Sequence, residues 1–158
     1  MDSATALSIA KRKKLSCYAL TMDYEQKHSI EIEKAKLIAE HFQVVEHKII
    51  EIDLTVFGGS ALTDKNINIP EHESQGIPVT YVPARNTIFF SLALAWAEVI
   101  QANSIYSGVN AIDYSGYPDC RPEYIKAMQA LVNLATKATV EGSSIAIEAP
   151  LLDMNKMD

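Results

Sequence analysis

Apolar positions along the chain follow two alternating patterns, and the alternation predicts strands joined by helices. Met1 to Lys14 sets Ala4, Leu7 and Ala10 at helical spacing behind Asp2 and Ser3, both good N-cap residues. Leu15 to Met22 is mostly apolar, as a strand covered on both faces would be, and it ends in Asp23-Tyr24. His28 to Phe42 puts Ala35, Ile38, Ala39 and Phe42 on one face with Glu and Lys opposite, which predicts an amphipathic helix. Val44 to Ile52, with β-branched residues at both ends, reads as a second strand. Strand, helix and strand at this spacing predict a parallel crossover unit.

From Asp53 to Thr80 the periodicity fails, and Gly58-Gly59, Pro70, Gly76 and Pro78 punctuate a long connection. Loops of that length in a globular fold are usually functional or disordered. Thr80 to Asn86 leads into a helix over Thr87 to Gln101 that is apolar nearly all round and is expected to be largely buried. Ser104 to Gly108 reads as a strand. Pro122 to Lys137 reads as a helix with Ile125, Met128, Val132 and Ala135 on its inner stripe, and Ile145 to Ala149 as a strand closed by Pro150. The fold class predicted is α/β with a parallel sheet, and no internal repeat interrupts it.

Core packing does not account for the polar residues between Tyr106 and Arg121. The segment carries Gly108, Asn110, Asp113, Gly116, Asp119 and Arg121 between a strand and a helix. In open α/β sheets ligands bind outside the strand carboxyl ends, so this loop is a candidate site. The same residue types also build ordinary turns. Both readings stand on composition.

The 158 residues are 48% hydrophobic, enough for one domain with a real core or part of a larger one. A formal net charge of −6 argues against a nucleic-acid-coating surface and for a small molecule or another protein as partner. The basic run Lys11 to Lys14 fits a helix C-terminus, where cations meet the negative end of the dipole. No apolar run reaches the length of a membrane span and no signal-peptide layout is visible, so no membrane partner is expected and a cytoplasmic location is. Cys17 and Cys120 are too far apart in sequence to suggest a zinc knuckle or a disulfide framework, and no metal ligand set is expected.

Several strings together resemble a known family. Asp2-Ser3 at the head of the first helix is similar to the second half of the pyrophosphatase-loop motif Ser-Gly-Gly-x-Asp-Ser of ATP-dependent adenylating enzymes. Asp23 to His28, Gly76 to Asn86, and Gly108-Val109-Asn110 through Ser115-Gly116-Tyr117-Pro118-Asp119-Cys120-Arg121 follow in order. In that order and spacing they resemble the 7-cyano-7-deazaguanine synthases of queuosine biosynthesis, over essentially the whole chain.

The resemblance implies a Rossmann-like open parallel sheet with helices on both faces, of the adenine nucleotide alpha hydrolase type, as a single nucleotide-binding domain over residues 1–158. It implies conversion of 7-carboxy-7-deazaguanine, ammonia and ATP to the nitrile by a carbon–nitrogen ligase, with Mg²⁺ held mainly by phosphates, in a homodimer. It also implies that the family's first strand, the Ser-Gly-Gly half of the loop and its four zinc-binding cysteines lie outside this chain. Structural zinc is therefore not expected here.

By the same resemblance Asp2 and Ser3 would meet phosphate at the helix N-terminus, and Thr21, Asp23 and Tyr24 would form the adenosine side. Arg85 and Asn86 would be the catalytic pair aimed at phosphate or carboxylate, because guanidinium geometry matches either group. Gln26, His28, Asn110, Asp113, Tyr117, Asp119 and Arg121 would face the deazaguanine, with Tyr114 or Tyr117 able to stack on it. Each has a plainer reading: caps for Asp2 and Ser3, a strand-ending turn for Thr21 to Tyr24, an ion pair for Arg85, packing pegs for the tyrosines. Glu25 stands where the family usually has Gly, so that turn can take another shape. The rival readings are another adenylating enzyme, such as a tRNA-modifying thiolase or lysidine synthetase, and a catalytically silent nucleotide-binding module or inactive fragment on the same fold.

Overall fold

Strands and helices alternate in the computed structural model, which describes residues 2–24, 29–64, 66–68, 76–110, 116–152 and 154. The chain divides into two units, Leu7–Pro83 and Met1–Ala6 with Ala84–Asp158. It is an α/β protein, and its strands pair in parallel.

In the first unit, helix α1 (Asp2–Arg12), whose first turn belongs to the other unit, leads to β1 (Tyr18–Asp23), α2 (Ser29–His41) and β2 (Glu46–Glu51). β1 and β2 pair in parallel from Tyr18↔Glu46 to Asp23↔Glu51, as the predicted crossover requires. Both strands are shorter than their apolar runs. The ladder continues past them only as single bonds, Val45 N–H to Cys17 O at 2.8 Å and Ile52 N–H to Asp23 O at 2.8 Å. On α2, Ala39 is buried and Ala35, Ile38 and Phe42 are half-buried, so the predicted stripe faces inward.

The described parts of the long connection after β2 are ordered by local bonds. A 3₁₀ turn, Leu54–Val56, starts on Asp53, whose carboxylate accepts from Thr55 N–H at 3.0 Å. Gly58 and Gly59 follow with φ of 64° and 78°, a left-handed pair that disfavours any side chain with a Cβ. Ala61 N–H then donates to Val79 O at 2.8 Å, which ties the two ends of the connection together over the fully buried Ser60.

The second unit contains α3 (Arg85–Val99), β3 (Ser104–Tyr106), α4 (Pro122–Ala135), α5 (Lys137–Val140) and β4 (Ala146–Glu148). β3 and β4 are parallel from Ser104↔Ala146 to Tyr106↔Glu148, with one further bridge between Asn110 and Leu151. Leu94, Val132 and Ile145 form the buried centre, and Ile105, Ala138 and Ile147 pack around it. Burial on α3 is narrower than its apolar composition predicts: Phe90, Leu94 and Ala97 are buried while Val99 is 79% exposed. On α4, Met128 and Val132 are buried as predicted, and Ala135 is exposed.

The outer edge of β4 is closed by a side chain. Gln129 on α4 donates from its amide nitrogen to Ile145 O at 3.0 Å and accepts from Ile147 N–H at 2.7 Å. One amide thus takes the two backbone groups that a neighbouring strand would take, and so blunts an edge that could otherwise recruit another chain. No described helix is long and apolar enough to cross a membrane.

Helix ends explain most boundary differences. α1, α2, α3 and α5 each stop at a left-handed residue: Lys14 at φ 58°, Gln43 at 49°, Gln101 at 55° and Gly142 at 94°. In each case the following N–H reaches back five residues, as with Val44 N–H to Ala39 O at 3.1 Å and Ala102 N–H to Ala97 O at 2.8 Å, the paired bonds of a Schellman stop. Three of those positions carry a Cβ that the left-handed region penalises. Replacing Gln43 with glycine is therefore expected to raise stability by about 1 kcal/mol; a urea midpoint that does not rise would contradict it.

Candidate functional site

The carboxyl end of β3 is shaped by a backbone contact. A Cβ built on Gly108 would lie 2.5 Å from Ser3 N, 2.8 Å from Asp2 C and 2.9 Å from Ser3 Cα, all main-chain atoms that cannot swing aside. Only glycine lets the first turn of α1 sit this close to the loop leaving β3. The contact is reinforced from two residues further on, where Asn110 Nδ2 donates to Asp2 Oδ2 at 2.7 Å. Ser107 turns the intervening chain by accepting from Val109 N–H at 3.3 Å. Asp2 and Ser3 thus lie in the first turn of α1 at the end of a strand, and the positive dipole end of a helix favours an anion. Ser3 itself is exposed.

The head of α3 gathers a second group. Arg85 and Asn86 lie in its first turn, two residues earlier than periodicity placed the helix start, because Ala84 turns the chain with a left-handed φ of 55° and offers no side chain to cap it. The cap comes from a distant residue. Asp119, 7% exposed, accepts Asn86 N–H on Oδ2 at 3.0 Å, and its main-chain carbonyl accepts Asn86 Nδ2 at 2.9 Å. The same Nδ2 lies 3.3 Å from Cys120 Sγ, which is also buried. Asp119 and Cys120 hold this position because Pro118–Cys120 forms a 3₁₀ turn, with Tyr117 extended before it and Pro122 opening α4 behind it. Tyr117 is half-buried, and Arg121 is exposed with Nε donating to Pro118 O at 3.0 Å. A Thr87–Tyr124 hydroxyl bond of 3.0 Å joins the same first turn of α3 to α4.

Thr21, Asp23 and Tyr24 end β1 in the other unit, all half-buried. Thr21 Oγ1 is 2.8 Å from Nε2 of His47 on β2, a residue that hydropathy gave no reason to single out. Strand register carried the signal: Ala19 pairs with His47, so Thr21, two residues on, shares its face. Burial, and then the Lys36 cation, push the imidazole below its ordinary value of 6.5. Cys17 nearby has its thiol pushed up by burial, with the Lys11 cation opposing, which leaves it a weak nucleophile.

The predicted residues thus fall into an Asp2–Ser3–Asn110 group, an Arg85–Asn86–Asp119 group with Tyr117 and Arg121 beside it, and a Thr21–Asp23–Tyr24 group. Gln26, His28, Asp113 and Tyr114 lie outside the described residues. Among the described residues no cluster of three or more His, Cys, Asp or Glu side chains is placed to hold a metal ion.

The family model for queuosine biosynthesis protein QueC matches residues 1–158. The chain belongs to the QueC family. It is 58% identical to the 7-cyano-7-deazaguanine synthase of Methylobacillus flagellatus over 158 residues, all of this chain and 69% of that protein. It is also 55% identical over 158 residues to the synthase of Saccharophagus degradans, and 56% identical over 156 residues to that of Pseudomonas putida; this chain spans 70% of each. The Gly108 contact and the Asn86–Asp119 bonds accordingly join strings that sequence alone tied to QueC.

Two outcomes follow from this geometry. Gly108→Ala forces α1 and the β3 loop apart and is expected to cost about 1 to 3 kcal/mol in a urea unfolding curve, with faster amide exchange concentrated in the first turn of α1. Wild-type stability and exchange in that variant would refute the contact. His47 gives a pH effect of known sign: its folded-state value is depressed, so the unfolded chain takes up the proton first. The stability it supports is complete above 6.5 and falls as pH drops below that value. His47→Gln should lose less stability than wild type between about pH 7.5 and about pH 5.5; parallel losses would exclude the histidine as the source.

Proposed function

We propose that this chain performs the reaction named for its QueC relatives: 7-carboxy-7-deazaguanine, ammonia and ATP are converted to 7-cyano-7-deazaguanine for queuosine biosynthesis. The observation that carries the reading is 58% identity across the whole chain to a synthase. The chemistry is that of a carbon–nitrogen ligase. A carboxylate is a poor electrophile until one oxygen becomes a leaving group, which ATP provides. Ammonia then displaces that oxygen to give an amide, and activation and loss of the second oxygen leave the nitrile. Positioning and charge stabilisation are the protein's main tasks in such a sequence.

Asp2 and Ser3 bind phosphate at the head of α1, with Mg²⁺ held mainly by the phosphate oxygens. Thr21, Asp23 and Tyr24 receive the adenosine. Arg85 aligns a phosphate or the substrate carboxylate in bidentate fashion. Gln26, His28, Asn110, Asp113, Tyr117 and Arg121 recognise the deazaguanine. The fold that goes with this reading is a Rossmann-like nucleotide-binding domain of the adenine nucleotide alpha hydrolase type. The protein works in the cytoplasm, as a homodimer, on small molecules rather than on nucleic acid or membrane.

Mass spectrometry can test this by looking for 7-cyano-7-deazaguanine after incubation with 7-carboxy-7-deazaguanine, ATP, Mg²⁺ and ammonium. The chain is assayed alone and also set between the flanking segments of the Methylobacillus flagellatus relative. Product is expected from the longer form at least, and Arg85→Ala in that form should lower it by about 100-fold. No product from either form would overturn the ligase reading and favour a silent nucleotide-binding module.

A further inference from the structure

We infer that Asp119 is a positioning residue, one that holds the head of α3 and thereby aims Arg85, and that it makes no contact with the deazaguanine. This rests on the proposed synthase reading for the reaction it serves, but the geometry behind it does not. α3 starts on Ala84, which has no side-chain oxygen to accept a first-turn N–H. Asp119 supplies that oxygen from 33 residues away, with Oδ2 at 3.0 Å from Asn86 N. A carboxylate at this end of the helix also meets the positive end of the dipole.

The Asn86 side chain closes the clasp from the other direction. Its amide nitrogen carries two hydrogens, and two acceptors stand within reach, Asp119 O at 2.9 Å and Cys120 Sγ at 3.3 Å. Both of its donors are thus directed at the turn. Asp119 is 7% exposed and Cys120 5%, so the clasp is shielded from water, where a hydrogen-bonded carboxylate holds its partner most firmly. The residue whose backbone it fixes next is Arg85, one position before Asn86 in the same turn. Bidentate recognition by a guanidinium depends on such fixing, because a small displacement of the side chain's root breaks both bonds together.

Steady-state kinetics and amide hydrogen exchange on the longer active form, with Asp119→Ala and Asp119→Asn, test the inference. Asp119→Ala is expected to lower kcat by about 100-fold and leave KM for 7-carboxy-7-deazaguanine within about twofold. The first-turn amides of α3 should exchange about tenfold faster. Asp119→Asn keeps an acceptor oxygen, so it should recover at least about tenfold of the lost kcat and most of the protection. A rise in KM of about tenfold or more in Asp119→Asn, with wild-type exchange, would overturn the inference and make Asp119 a substrate ligand. If no form of the chain turns over, the synthase reading fails while the exchange arm still decides the clasp: unchanged exchange in Asp119→Ala refutes it, and faster exchange upholds it.

Discussion

The unit that holds both the head of α1 and the head of α3 depends on how closely two pieces of backbone approach at Gly108. The first turn of α1 lies against the loop leaving β3 at a separation that excludes a Cβ, and the Asn110 amide fastens the Asp2 carboxylate to the same loop. An exposed helix start is normally among the first parts of a fold to fray. Here a long-range contact restrains it. The approach also decides what the site can be. A helix N-terminus brought to the end of a strand presents main-chain donors at a fixed position, which suits a phosphate better than any arrangement of mobile lysines.

A distant residue takes the place of a local restraint at α3. Its own sequence offers Ala84 where a capping side chain would usually stand, and a carboxylate from the Pro118–Cys120 turn takes that place. Two strings far apart in the chain therefore form one structural object. The string Tyr117 to Arg121 supplies the cap and its buried surroundings, and the string ending in Arg85-Asn86 supplies the helix. The bonds between them give a physical reason for the two strings to occur together, one that the sequence did not show.

Among the described residues periodicity revealed every long helix and every strand, because those elements bury a face and burial leaves a spacing. It misplaced their ends. Three helices stop on Lys14, Gln43 and Gln101 in a conformation that sequence reading looks for at glycine, and only the first of these stops carried a local signal, the basic run Lys11 to Lys14. β3 ends at Tyr106 instead of Gly108, since beyond the Ser107 N–H to Glu148 O bond the Ser107 side chain turns the chain by accepting from Val109 N–H. The same limit applies to the site. Asp2, Arg85 and Asp119 stood out by type and motif, whereas His47 became visible only through strand register, and the bond between Asn86 and Asp119 only through tertiary packing.

The Gln129 amide adds a constraint on how the β3–β4 sheet can grow. By taking Ile145 O and Ile147 N–H, it fills the hydrogen-bonding positions on the outer edge of β4, so a strand cannot add there without displacing it. Among the described residues β3 pairs only with β4, and its other edge is the one at which a further strand of this sheet would have to pair. A parallel strand added there would end on the same side as Gly108, where the main chain of Asp2 and Ser3 already lies.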